Sequence, residues 1–187
     1  LARERVDTAA RSLTGDGAGG YVALHWRGEA DFVEHADHRL DAADYHAAVA
    51  AELYVVWRAT PSEPLRVLVL GDQADEQLAA LQAALRPSLS AMHAAGGAAP
   101  RLVLESKSTL LARAGLTNWS APFRGYEDWA GSIDLELGAR AGVFVGSPFS
   151  SFSVVVAMLR AQAAAHANGA SADNSPRTRM IRADTAD

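Results

Sequence analysis

Cysteine is absent from all 187 residues. That excludes a disulfide framework, a thiolate zinc site and a cysteine nucleophile together. It leaves the compartment open, because secreted chains also do without disulfides. Basic side chains are outnumbered: 17 Lys and Arg stand against 22 Asp and Glu, for a formal net charge of −5. Such a chain has no basic field to attract a phosphate backbone, so nucleic acid is not expected as a partner. Apolar runs of about 18 residues or more, long enough to cross a bilayer, are missing too. No charged-then-apolar leader is present and position 1 is leucine. We therefore expect a fragment of a longer protein, with any membrane anchor confined to a missing N-terminal region.

What is present has the composition of a globular chain. Hydrophobic residues make up 49% and charged residues 21%, outside the disordered range. The length suits one domain of roughly 100–200 residues. Four short apolar runs recur at residues 21–26 (YVALHW), 66–70 (RVLVL), 101–104 (RLVL) and 143–146 (VFVG). Runs of this length, bounded by glycine, proline or charge, are expected as strands buried on both faces.

Longer segments with helical spacing separate them. Residues 41–58 carry Tyr45, Val49, Leu53, Val56 and Trp57 at spacings of three and four, with Asp41 or Asp44 as a cap. Residues 74–85 repeat Leu78, Leu81 and Leu85 and are expected to end before Pro87. Residues 127–141 place Trp129, Ile133 and Leu137 on one face, and residues 150–166 are apolar, then alanine-rich. Strands alternating with helices predict an α/β domain over residues 1–168: a Rossmann-like parallel sheet with helices on both faces. Residues 1–13 read as a further helix, residues 93–100 as a small-residue loop, and residues 169–187 as a disordered tail.

Three patterns mislead. Residues 15–20 spell GDGAGG, but this glycine fingerprint precedes a strand, whereas a dinucleotide turn follows one. A connector is the better reading. Glu34, His35, Asp37 and His38 cluster without the i, i+4 pair of a helical zinc motif and read as a solvated loop. Asn118-Trp119-Ser120 matches a glycosylation acceptor, a pattern common by chance.

Two segments carry chemistry. The first, HWRGE, closes the first strand, and ligands bind beyond the carboxyl ends of parallel strands. Alternation puts His25 and Arg27 on one side and Trp26 on the other. The planar guanidinium of Arg27 suits two phosphate oxygens, and Gly28 lets the chain turn away. An arginine paired with an acid at the sheet edge is the equally weighted alternative. The second is VFVGSPFSSFSVVVAMLR, residues 143–160. Its strand ends at Gly146 and a helix opens near Ser150 and Ser151. Hydroxyls and unpaired N–H groups at such a start form an anion site, although helix capping by serine explains the same residues. A diphosphate between Arg27 and Ser150/Ser151, with Phe152 beside it, is the reading favoured by four serines in seven residues.

Residues 132–160 (SIDLELGARAGVFVGSPFSSFSVVVAMLR) resemble the C-terminal signature of GDP-fucose-dependent protein O-fucosyltransferases and their plant and algal relatives. HWRGEADF resembles the family's His-x-Arg motif, and VLVLGDQADEQL its middle strand. The three occur in family order over about residues 21–160. The resemblance implies the C-terminal nucleotide-binding half of a GT-B glycosyltransferase, with the acceptor-side N-terminal half absent. It implies transfer of fucose from GDP-fucose to a protein or glycan hydroxyl by a single inverting displacement, without a metal or other cofactor. Arg27 would hold the β-phosphate and act as the catalytic group, and His25 would lie against the nucleotide. Asp134 would contact guanine or ribose, and Ser150, Ser151 and Phe152 would bind phosphate and base. Asp72 would occupy the middle-strand acid position, where Gly71 replaces the usual Ser or Thr. The family also implies the lumen of the endoplasmic reticulum or Golgi. The other readings are a nucleotide-binding or interaction module without turnover, an unrelated phosphate-binding domain, and a structural module whose serines only cap a helix.

Overall fold

Side chains on a strand alternate between two faces, so an apolar run covered on both faces must feed two core layers. The computed structural model describes residues 21–26, 42–59, 64–71, 73–93, 100–116, 127–167 and 177–181, together with Glu4. In chain order the elements are β1 (Val22–His25), α1 (Ala42–Ala59), β2 (Leu65–Leu70), α2 (Asp75–His93) and β3 (Leu102–Ser106). Then follow α3 (Lys107–Arg113), α4 (Glu127–Arg140), β4 (Val143–Gly146), α5 (Ser151–Ala167) and β5 (Arg177–Met180). The five strands form one sheet in the order β3-β2-β1-β4-β5. Every neighbouring pair is parallel. The fold is α/β and Rossmann-like, with helices on both faces, as the alternation of strand and helix patterns predicts.

Val22, Leu24, Val67, Val69 and Val145 form one layer with Tyr45, Val49 and Leu53 of α1 and Leu78, Leu81 and Leu85 of α2. Ala23, Leu68, Leu70 and Phe144 form the other, against Leu110 and Leu111 of α3, Ile133 and Leu137 of α4, and Val156 of α5. Register keeps the layers level: Val22 lies opposite Val67 on one side and Val143 on the other. Burying each leucine or phenylalanine contributes about 1.5–3 kcal/mol.

Polar pins tie the second layer together. The buried Arg160 of α5 donates to the carbonyls of Gly138, Ala139, Ala141, Gly142 and Arg177 and to the hydroxyl of Thr178. One guanidinium thus satisfies the exposed carbonyls at the end of α4 and holds β5 against the α4–β4 turn. The Tyr21 hydroxyl donates to Leu137 O at 2.5 Å, and burial pushes its pKa well above the ordinary phenol value. At the β3 edge, Glu105 accepts from both Arg66 and Arg113.

Three features differ from the sequence reading. Pro87 was expected to stop its helix, yet α2 runs through it to His93. Leu89 follows Leu85 by one turn and is buried with it, so continued packing outweighs one lost backbone hydrogen bond. Residues 169–187 were expected to be a disordered tail, yet Arg177–Met180 form β5 and Ile181 is buried. An arginine-rich run suits an edge strand, whose charge discourages further pairing; Arg179 pairs with Glu52 of α1. Finally, α3 was not anticipated; it is a short helix begun by Ser106, whose hydroxyl accepts from Thr109 N at 3.1 Å. Of the expected N-terminal helix, Glu4 is described and is helical. The glycine fingerprint, the Glu34–His38 cluster, the Asn118 acceptor and residues 94–99 of the expected loop lie outside the described residues.

Candidate functional site at the β1–β4 switch point

The chain builds outward from β1 to β2 and β3, then returns across the sheet to lay β4 on the other side of β1. At such a reversal the connections after the two adjacent strands leave toward opposite faces. The crevice between their carboxyl ends is the ligand position of an open parallel sheet. Here those ends are His25 and Gly146.

Alternation from Ala23, in the α3–α5 layer, carries His25 to the same side, while Trp26 packs on the α1–α2 layer. The divergence expected of His25 and Trp26 is therefore present. The His25 ring meets Phe152 with centroids 4.5 Å apart, and its Nδ1 is 2.9 Å from the Ser153 hydroxyl. That hydroxyl also accepts the Ser147 N–H at 3.2 Å. Ser153 is fully buried and joins the end of β1, the start of the β4–α5 turn and the first turn of α5.

The turn is tightly specified. Ser150 N donates to Ser147 O, and Phe149 N donates to Ser147 Oγ. Ser150 precedes α5, and its hydroxyl faces Ser153 N at 3.5 Å, the N-cap relation. Gly146 is required by close approach: a Cβ there would lie 2.6 Å from Ser153 Oγ and 2.7 Å from the Phe144 ring. The two serines thus differ. Ser150 is buried and caps the helix, while Ser151 is exposed at its first position. Backbone N–H groups of a first helical turn have no acceptor within the helix. Together with the Ser151 hydroxyl they form a donor array suited to an anion.

Asp134 lies elsewhere along the same carboxyl edge. It is buried on α4 and its Oδ2 accepts from Lys107 Nζ at 2.6 Å, where β3 passes into α3. One turn further along α4, a Cβ at Gly138 would touch both Leu70 of β2 and Val156 of α5. The structure therefore brings His25, Ser150, Ser151 and Phe152 together and sets Asp134 aside in an ion pair over the β2–β3 end. Gly71, which ends β2, has φ +108°, a conformation that favours glycine over Ser or Thr. Arg27 and Asp72 lie outside the described residues.

Sequence reasoning passed over Ser153 and Lys107. Ser153 had a signal, since it is the last of the four clustered serines and falls one turn after the cap. Lys107 had none beyond its place after an apolar run. Among the described residues no group of three His, Asp or Glu could hold a metal ion, and no helix is long and apolar enough to cross a membrane. A cavity of about 500 Å³ between α2 and β3, lined by Arg86, Leu89, Pro100 and Arg101 among others, lies at the opposite, amino edge of the sheet.

No family model and no curated protein matches the sequence. In fold the chain is similar to the crystal structure of POFUT1 in complex with GDP, with a TM-score of 0.50 at 16% identity. The alignment covers 96% of this chain and 48% of that one, so the chain spans about half the length of the protein it matches. The sheet and its helices thus share the fold of about half of that structure.

Proposed function

We propose that this chain is the nucleotide-binding part of a GDP-fucose-dependent O-fucosyltransferase, holding the donor's diphosphate between Arg27 and the start of α5. The observation that carries the reading is the serine turn pinned to His25 at the switch point, which leaves Ser151 exposed. The likeness in fold to POFUT1, a GDP-fucose O-fucosyltransferase solved with GDP, supports it. So does the order of the three sequence motifs.

On this reading the anomeric carbon–oxygen bond to the diphosphate breaks as the acceptor oxygen bonds from the opposite face. Charge grows on the departing GDP, so donors fixed in advance around the diphosphate give the largest rate effect. Arg27 supplies two parallel N–H bonds; Ser151 and the first-turn amides supply the others. These donors neutralise the leaving group without a metal. His25 and Phe152 form a wall against the nucleotide, and Asp134 meets the base or ribose. Asp72, next in the chain after Gly71, would take the family's middle-strand acid position. A protein or glycan hydroxyl is the acceptor.

A second reading is a module of the same fold that binds nucleotide without transferring sugar. Melting temperatures with GDP, GDP-fucose, ADP and UDP, without and with magnesium, test the binding common to both. Selective stabilisation by GDP and GDP-fucose, indifferent to magnesium, is expected. Equal shifts with ADP and UDP would overturn it, and GDP release on adding an acceptor separates transfer from binding.

A further inference from the structure

The sheet ends in two edge strands that are guarded differently. β5 carries Arg177 and Arg179, and charge of this kind discourages a further strand. β3 is the other edge. Its first three residues, Leu102, Val103 and Leu104, carry no charge and no proline. Leu65 N donates to Arg101 O, and Leu65 lies opposite Leu102. Alternate residues of a parallel strand face the same neighbour, so Arg101 and Val103 turn their backbone groups to β2. Leu102 and Leu104 turn theirs outward, where no described strand lies. Such a row is a template for another extended chain.

Beside this edge lies the cavity of about 500 Å³ between α2 and β3. Gln82, Arg86, Leu89 and Ser90 line it from the helix, and residues 100–103 from the strand. From Gln82 to Ser90 the helix rises about 12 Å, room for about four residues of extended chain. Leu89 and Leu102 supply apolar lining. The charge is of one sign: Arg86 and Arg101 are both exposed, and no Asp or Glu is among the described lining residues. In a chain of net charge −5 this is a local reversal. Guanidinium forks are matched by carboxylates. A strand edge that offers both N–H and C=O groups is matched by another backbone, where a simple anion would meet the carbonyls as well.

We propose that the groove between α2 and β3 is a docking site for an extended acidic peptide, which adds to β3 as a further strand and places carboxylates on Arg86 and Arg101. Hydrogen bonds to Leu102 and Leu104 hold the peptide whatever its side chains, and the two arginines select acidic segments. The groove lies at the amino edge of the sheet, while the serine turn and His25 lie at the carboxyl edge. The inference therefore stands independently of the nucleotide reading.

Fluorescence anisotropy on the unaltered chain, with a labelled five-residue peptide Glu-Val-Glu-Val-Glu, tests it. Saturable binding is expected. It is expected to weaken at least tenfold with the matching Lys-Val-Lys-Val-Lys peptide, and as much when the backbone amides of the acidic peptide are N-methylated. Arg86→Glu is expected to cost at least tenfold with no change in melting temperature, since the side chain is exposed. Amide ¹H–¹⁵N spectra locate the contact without any variant, and the Leu102 and Leu104 signals are expected to move on titration. Binding that leaves both signals unmoved overturns the inference, as does equal binding of the lysine peptide or an unchanged affinity in Arg86→Glu. Absence of binding up to millimolar peptide overturns it too. Displacement of the peptide by an equal concentration of inorganic phosphate would assign the groove to small anions and likewise overturn it.

Discussion

The Ser153 hydroxyl lies 2.9 Å from His25 Nδ1 and accepts the Ser147 N–H at 3.2 Å. One buried side chain thereby fixes the imidazole and the backbone of the β4–α5 turn. Ser153→Ala is expected to leave the Ser147 N–H buried without its acceptor, at about 1–3 kcal/mol. Urea denaturation reads that loss; an unchanged midpoint would remove Ser153 from the architecture of the site.

Ser150 and Ser151 are neighbours with different environments. Ser150→Ala is expected to lower stability by about 1 kcal/mol through loss of the cap, measured by thermal melting. Ser151→Ala is expected to leave melting unchanged and weaken GDP binding by about 1–3 kcal/mol. The reverse pattern would assign the exposed serine to folding alone.

Arg27→Ala is expected to abolish GDP binding while the sheet and its melting transition persist. Affinity within threefold of the parent would show that the phosphate is held elsewhere.

Pro87 lies inside α2 on its exposed side. Proline there removes an N–H and crowds the carbonyl one turn earlier, a cost of about 3 kcal/mol in a regular helix. Pro87→Ala is expected to raise the melting temperature. A fall would mean that the helix has adapted to the ring.

His46, on α1, has its pKa lowered from the ordinary value by burial. The unfolded chain then binds a proton at this site more readily than the folded one. Stability is therefore present above about pH 6.5 and lost as pH falls toward the lower folded value. His46→Gln is expected to flatten the decline between pH 7 and pH 5. Parallel pH profiles for the two chains would exclude this histidine as a source of acid sensitivity.

How much of this was legible in the sequence depends on whether a residue's partners are local. YVALHW and VFVG revealed strands because alternation and length are properties of short runs. The same alternation placed His25 and Trp26 on opposite faces. β5 escaped notice because Arg177-Thr178-Arg179 is polar, and its strand state comes from pairing with β4 and from the carbonyl grip of Arg160, seventeen residues earlier. Pro87 misled for the same reason: its local penalty is visible in sequence, and the buried Leu89 that overrides it is not. The serine cluster was readable as an anion site or as a cap. Separating those roles between Ser151 and Ser150 required knowing which one is buried.

His25 and Ser153 are 128 residues apart, and β2 and β3 lie between β1 and β4 in the chain. All described strand pairs are parallel, so each requires a long loop to close before any pairing repays its entropy. Local pairing rewards β1 with β2 early, while the crevice comes into existence at the most distant closure of the chain. During synthesis the sheet can begin to form without any ligand pocket. A ligand that binds there favours the last closure and acts as a clasp on the assembly order of the whole domain.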